Sequence, residues 1–269
     1  MNKLLVPTDF SENAEKALNF SINLANYFES KIYLLSVYQV HSPAGSLKNI
    51  ERFLKEENET QLSKLVKKHK PSLFRNTSLE TKTLSGGTVY TISSFAENRE
   101  VDLIVMGTQG SSGLKEIFIG SNTVGVIKKA TKPILAIPGD YDYKPFKKIV
   151  LALDESEPFP KEQIQPLLSL AKSYNSKILV YHIVEQGENK VVSPSIDEYL
   201  EGFDYSIHEN IGISNVNEGI NAFVERNEAD LLCMITRKRS FLEGIFNPSV
   251  TKKEAFNCPV PLLVLRQMT

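Results

Sequence analysis

Cysteine is scarce in this sequence. Cys233 and Cys258 are the two in 269 residues, with no CxxC spacing and no histidine cluster. That argues against a disulfide framework and against a structural metal. Both lie in apolar, strand-like surroundings and read as buried free thiols, which suits a reducing cytoplasm. Long apolar runs are also lacking: no stretch approaches the ~18–20 residues needed to span a bilayer. The N-terminus, MNKLLVPTDF, runs straight into a strand pattern without a signal-peptide core or cleavage site. The expectation is a cytoplasmic protein with no membrane partner. Histidines are few and scattered (His41, His69, His182, His208). No Ser/His/Asp or Cys/His set can be argued from their spacing, so no catalytic residue is expected. A strong charge of either sign is missing. Residues 1–140 carry 17 Lys/Arg against 14 Asp/Glu, and residues 141–269 carry 14 against 18. Neither half has the basic excess of a nucleic-acid binder. The densest basic run, Lys67, Lys68, His69 and Lys70, ends an amphipathic segment and reads as a solvated helix C-terminus that complements the dipole.

What is present is a repeat. Lys3-Leu-Leu-Val-Pro-Thr-Asp9-Phe-Ser11 resembles Lys148-Ile-Val-Leu-Ala-Leu-Asp154-Glu-Ser156, each an apolar run ending in Asp-x-Ser. Lys31 to Val37 resembles Lys177 to Ile183, Val101 to Met106 resembles Ala229 to Met234, and Lys132 to Ile137 resembles Cys258 to Leu263. Four matches in one order imply two domains, residues 1–140 and 145–269, joined at the turn-rich Gly139-Asp-Tyr-Asp-Tyr-Lys-Pro145.

Within the first half, apolar runs alternate with helical patterns. Strands are expected at Leu4–Pro7, Ile32–Val37, Thr77–Leu84, Leu103–Met106 and Ile134–Ile137. Helices are expected over Ser11–Phe28, with Ser11 as N-cap, and over Leu47–His69, Thr88–Asn98 and Ser121–Lys129. Four of the strands are nearly continuous apolar runs, as in a parallel sheet covered on both faces. The alternation implies a doubly wound sheet with right-handed crossovers. In the second half only about eighteen residues separate Ile178–Val184 from Phe203–His208, so the long second helix shrinks to a turn or two near Ile196–Leu200. This is either a neutral deletion or an exposed sheet face for a partner.

The chemistry lies after the fourth strand, in Met106-Gly107-Thr-Gln-Gly110, continuing to Gly120-Ser121-Asn122-Thr123. Glycines let backbone N–H groups turn toward an anion. Gly120 opens a helix whose unpaired N–H groups and positive dipole end face the same point. Open parallel sheets bind ligands beyond the carboxyl ends of the strands, at the switch point. Pro7, Thr8 and Asp9 would there face Met106 to Gly110. The motif is neither a P-loop nor the dinucleotide fingerprint, because it has no Gly-Lys-Ser/Thr and follows the fourth strand. Leu84-Ser-Gly-Gly-Thr88 is superficially like the pyrophosphatase loop of ATP-using ligases, but it follows the third strand and runs into a helix.

The spacing Gly-x2-Gly-x9-Gly-Ser is similar to the ATP-binding motif of the universal stress protein family. With the Asp-x-Ser, Val-Asp-Leu-Ile-Val-Met-Gly and Lys-Pro-Ile-Leu-Ala-Ile segments, the chain resembles that family over nearly its whole length, as a tandem member. The resemblance implies an α/β fold: two repeated doubly wound five-stranded parallel-sheet domains, Rossmann-like and adenine nucleotide alpha hydrolase-like, packed as a pseudo-dimer through the final strands Ile134–Ile137 and Leu262–Leu265. It implies an ATP-binding stress-response or regulatory protein whose ligand sits in the first half. Asp9 would approach the adenosine portion or a metal, Val37 would contact adenine through its backbone, and Gly107 would lie against the ribose. Gly110, Gly120 and Ser121 would hold the phosphates, with Asn122 and Thr123 adding donors. A Mg²⁺ held mainly by phosphates and water is compatible with such a site.

The second half departs from this pattern. Aligned on the fourth strand, Ile235, Lys238 and Pro248 replace the three glycines, and Ser249 alone matches Ser121. Phosphate binding of the first-half type should be lost there. Two alternatives stand beside a nucleotide-binding regulator. One is a slow ATPase. The other is a nucleotide-independent scaffold that takes a protein or apolar ligand through the second half. Further homodimerisation is compatible with each.

Overall fold

The computed structural model describes residues 1–40, 47–108, 119–154, 159–184, 195–211, 216–236 and 258–266. They form two compact units, Met1–Glu116 with Gly120–Gly139, and Ile117–Ile119 with Asp140–Thr269.

Unit 1 runs β1 (Lys3–Thr8), α1 (Glu12–Phe28), β2 (Lys31–Tyr38), α2 (Leu47–His69), β3 (Ser78–Ser85), α3 (Thr88–Asn98), β4 (Leu103–Gly107), α4 (Ser121–Lys129) and β5 (Ile134–Ile137). Its sheet order is β3-β2-β1-β4-β5, and every pair is parallel. Leu4, Leu5 and Val6 of β1 and Leu103, Ile104 and Val105 of β4 are fully buried, because helices cover both faces. Ser11 caps α1 by accepting a hydrogen bond from the Ala14 N–H at 3.2 Å. The apolar stripe of α1, Ala14, Ala17, Leu18, Leu24 and Ala25, faces the core. The basic run behaves differently from the expected solvated helix end. Its three lysines are exposed, but His69 is buried and its Nε2 lies 2.8 Å from Glu15 Oε1, tying the end of α2 to α1.

Unit 2 runs β6 (Lys148–Asp154), α5 (Gln165–Tyr174), β7 (Lys177–Val184), α6 (Ser195–Tyr199), β8 (Asp204–Ile211), α7 (Val216–Arg226), β9 (Leu231–Thr236) and β10 (Leu262–Arg266). The order β10-β9-β6-β7-β8 repeats that of unit 1, again all parallel. The repeated Val/Ala-Asp-Leu segment has a shared structural role. Asp102 Oδ2 accepts from the N–H groups of Asn2 and Lys3, and Asp230 Oδ2 from those of Lys147 and Lys148, so each aspartate pins the start of the neighbouring strand.

The shortened second helix is α6. It is only five residues long, yet Ile196 and the adjoining Leu200 are fully buried, Tyr199 packs edge-on against Phe159, and the Tyr205 hydroxyl donates to Asp197 at 2.7 Å. Every side chain from Ile178 to His182 is buried. β7 is therefore covered on both faces, which counters the reading of an exposed sheet face there. A few well-placed apolar residues do the covering that a long helix does in unit 1.

Candidate functional site

The chain leaves β1 toward β2 and β3 on one side and reaches β4 and β5 on the other. The switch point of unit 1 is thus between β1 and β4, where crevices form in open α/β sheets. The register shows how this one opens. β1 pairs with β2 along its whole length, through Pro7↔Leu35 and Thr8↔Ser36, but with β4 only at Leu4↔Leu103 and Leu5↔Ile104. The corresponding ladder in unit 2 continues to Ala152↔Met234. Pro7 occupies the place of Ala152 and lacks an N–H. Since pairing toward β2 is unbroken, the missing donor is on the β4 side. The β1–β4 ladder stops short of the carboxyl ends, where a cavity of about 310 Å³ is lined by Pro7, Met106 and Gly107.

Its two walls differ in chemistry. On the β2 side it is lined by Leu35 and Val37, two residues apart on one strand face, and by Thr88 and Ile92, one turn apart on α3. On the β4 side it is lined by Met106, Gly107, Gly120, Ser121, Asn122 and Thr123. Pro7, Thr8, Asp9 and Ala14 complete it between them. Gly120 is the N-cap of α4 and has no side chain to offer the helix; the Val124 N–H bonds its carbonyl at 2.9 Å. The N–H groups of residues 121–123 precede the first helical bond and have no partner within the helix. They mark the positive end of its dipole. Thr123 is committed otherwise than expected. Its hydroxyl donates to the Gly107 carbonyl at 2.9 Å, bracing α4 on the tip of β4, so that proton is not offered to a ligand.

The first turn of α1 closes the back of the crevice. A Cβ on Gly107 would stand 2.9 Å from the Asn13 carbonyl oxygen, so glycine is required for the strand tip to reach the helix. Between β1 and α1 the chain turns through Phe10 at φ 64°, a left-handed conformation unusual for a bulky residue, with the Phe10 N–H on Thr8 Oγ1 at 3.0 Å. Asp9 Oδ1 accepts from the N–H and hydroxyl of Ser11, the α1 cap. Asp9 thus supports the cap through Ser11 while lining the cavity. One residue past Ala14, Glu15 is held below the ordinary carboxylate range by a hydrogen bond from Lys68, with His69 adding to it against the opposing effect of burial.

Of the residues singled out by sequence, Pro7, Thr8, Asp9, Val37, Met106, Gly107, Gly120, Ser121, Asn122 and Thr123 all line this cavity. Gly110 lies outside the described residues. Sequence reasoning missed Ala14, Leu35, Thr88 and Ile92. The first two and Ile92 look like ordinary core in any periodic pattern. Thr88 carried a signal, a Gly-Gly-Thr opening a helix at the end of β3, which was set aside with the ligase-like loop.

Unit 2 differs by more than its lost glycines. By register, Tyr181 takes the place of Leu35, Leu153 that of Thr8, and Ile235 that of Gly107. All three are buried. Tyr181 stacks on Phe223 at 4.2 Å and directs its hydroxyl to the Gly219 carbonyl. Among the described residues, larger buried side chains thus stand at the positions that border the crevice in unit 1. Lys238, Pro248 and Ser249 lie outside the described residues.

Fold and crevice together define a tandem doubly wound α/β protein with a ligand-sized crevice at the switch point of its first unit. The pattern of the universal stress protein family matches residues 1–138 and 196–266, one segment in each unit. The chain belongs to the universal stress protein family. Two universal stress proteins of Methanocaldococcus jannaschii are similar to about half of it: MJ0531, 36% identical over 140 residues and 81% of its own length, and MJ0577, 32% identical over 154 residues and 93% of its length. A solved universal stress protein from Archaeoglobus fulgidus shares the fold across 99% of this chain and 96% of its own, with a TM-score of 0.72 at 21% identity. Among the described residues no helix is long and apolar enough to cross a membrane.

Proposed function

We propose that unit 1 binds an adenine nucleotide, ATP in the first place, and that the protein serves a stress response through its nucleotide state. The supporting observation is the two-walled crevice: an apolar slot between β2 and α3, and a row of N–H groups without partners in their own helix, with the Ser121 hydroxyl, at the start of α4. A flat apolar base and an anionic tail match these walls in that order. Among the described lining residues Asp9 is the sole ionisable one and none is cationic. Of the described groups, the α4 donors are the ones suited to polyphosphate charge, with a bound cation to complement them. No group of three metal-ligating side chains occurs among the described residues, so a Mg²⁺ would be carried by the phosphates and water, with Asp9 the nearest carboxylate. Among the described lining residues no cation is present to act on the γ-phosphate and Asp9 alone could serve as a base, so the reading adopted is binding, with turnover as the alternative.

The test is direct. The full chain, purified, is denatured and any released ligand identified by mass spectrometry. Equilibrium dialysis with ATP and Mg²⁺ then gives the stoichiometry, and phosphate release is followed over hours. One adenine nucleotide per chain with no steady phosphate release is expected. Two per chain would show that Tyr181 and Ile235 do not close unit 2. No binding would overturn the reading, and sustained release would move the protein to the ATPase alternative.

A further inference from the structure

We infer that Thr88 determines base specificity, its hydroxyl accepting a hydrogen bond from the exocyclic amine of the base. This rests on the reading of unit 1 as an adenine-nucleotide site. Three threonines line the crevice, Thr8, Thr88 and Thr123. The Thr8 hydroxyl oxygen is engaged by the Phe10 N–H, and the Thr123 hydroxyl by the Gly107 carbonyl. The Thr88 hydroxyl makes no hydrogen bond to any described residue. It is half-buried at the first position of α3, one turn from the buried Ile92, and shares its wall with Leu35 and Val37. Thr88 is thus the one polar side chain among the described lining residues of the apolar wall.

Orientation follows from the other wall. With the phosphates on the α4 N–H groups and the ribose near Gly107, the base points toward β2 and α3. Its edge farthest from the sugar bears the amine. A hydroxyl with no partner among the described residues offers its lone pairs to such a donor. A site built to pair with a polar group discriminates against the analogue that lacks it, because its own group is then left unpaired. α3 also packs on α4, where Val89 fills the space beside Gly125, so a phosphate contact from Thr88 is the competing geometry that the test must separate.

Full-length wild type, Thr88→Val and Thr88→Ser are titrated calorimetrically with ATP and with purine riboside 5′-triphosphate, which lacks the amine. Thermal melts confirm that the variants fold. Wild type is expected to prefer ATP. Thr88→Val should shrink that preference about tenfold, the worth of one hydrogen bond, with the analogue's affinity unchanged. Thr88→Ser should restore it. Equal loss for both ligands would assign the hydroxyl to the phosphates and overturn the inference, as would no change for either. A wild type that binds neither ligand would overturn the adenine-nucleotide reading, and this inference with it.

Discussion

Gly107 and Gly120 are glycines for different reasons. Gly107 is needed by the protein, because the Asn13 backbone occupies the space of a side chain. Gly120 has φ −61° and ψ 154°, a conformation open to any L-residue. Gly120 borders the cavity at the helix start, and on the proposed nucleotide reading it is the ligand that calls for glycine there. Gly120→Val should therefore fold, losing about 1 kcal/mol of helix capping, while ATP affinity falls at least tenfold as the branched side chain blocks the main-chain donors. Calorimetric titration of the variant checks this, and an unchanged affinity would remove Gly120 from the phosphate site. The sequence spacing showed that these glycines belong together. It could not show that Gly107 is required by packing, because that depends on the position of α1.

Among the elements, β1 borders the crevice where its pairing with β4 ends. The span expected from sequence is Leu4–Pro7. The strand instead runs Lys3–Thr8, and Pro7 ends pairing with one neighbour while pairing with the other goes on. Pro7→Ala should supply the donor toward β4 and extend that ladder as Ala152 does in unit 2. The expected outcomes are a residue-7 amide protected from hydrogen exchange, a narrower crevice and severalfold weaker ATP binding. A rapidly exchanging amide with wild-type affinity would mean that something other than the proline parts the strands. Helix and strand order was legible because apolar runs and 3.6-residue stripes are local signals. The covering power of α6 was not, since the burial of Ile196 and Leu200 depends on what lies beneath them.

At the scale of the molecule, the two units share one topology and differ in what occupies the switch point. Taken singly, the unit sheets end on β5 and β10, both apolar strands. An apolar edge invites pairing unless it is covered. The sequence-based expectation that these two strands pair in an internal pseudo-dimer therefore remains a proposal, with Pro261 limiting the ladder at its start. Residues 1–140 produced alone should then self-associate at tens of micromolar. Light scattering that shows a clean monomer would count against edge pairing.

The amino-acid sequence by itself determined the repeat, the order of strands and helices in each unit, and the glycine spacing with its Asp9 and Ser121 companions. These are properties of neighbours along the chain, where periodicity and fixed offsets carry the information. Only the tertiary structure decided that Leu35, Thr88 and Ile92 make a second wall, that pairing of β1 with β4 stops before Pro7, and that Tyr181 and Ile235 are buried at the matching positions of unit 2. Those residues come from segments tens of positions apart, and most of them look like ordinary core where they stand. Their roles arise when parallel pairing brings the carboxyl ends of β1, β2 and β4 side by side, and the space left between side chains is a property of that packing alone.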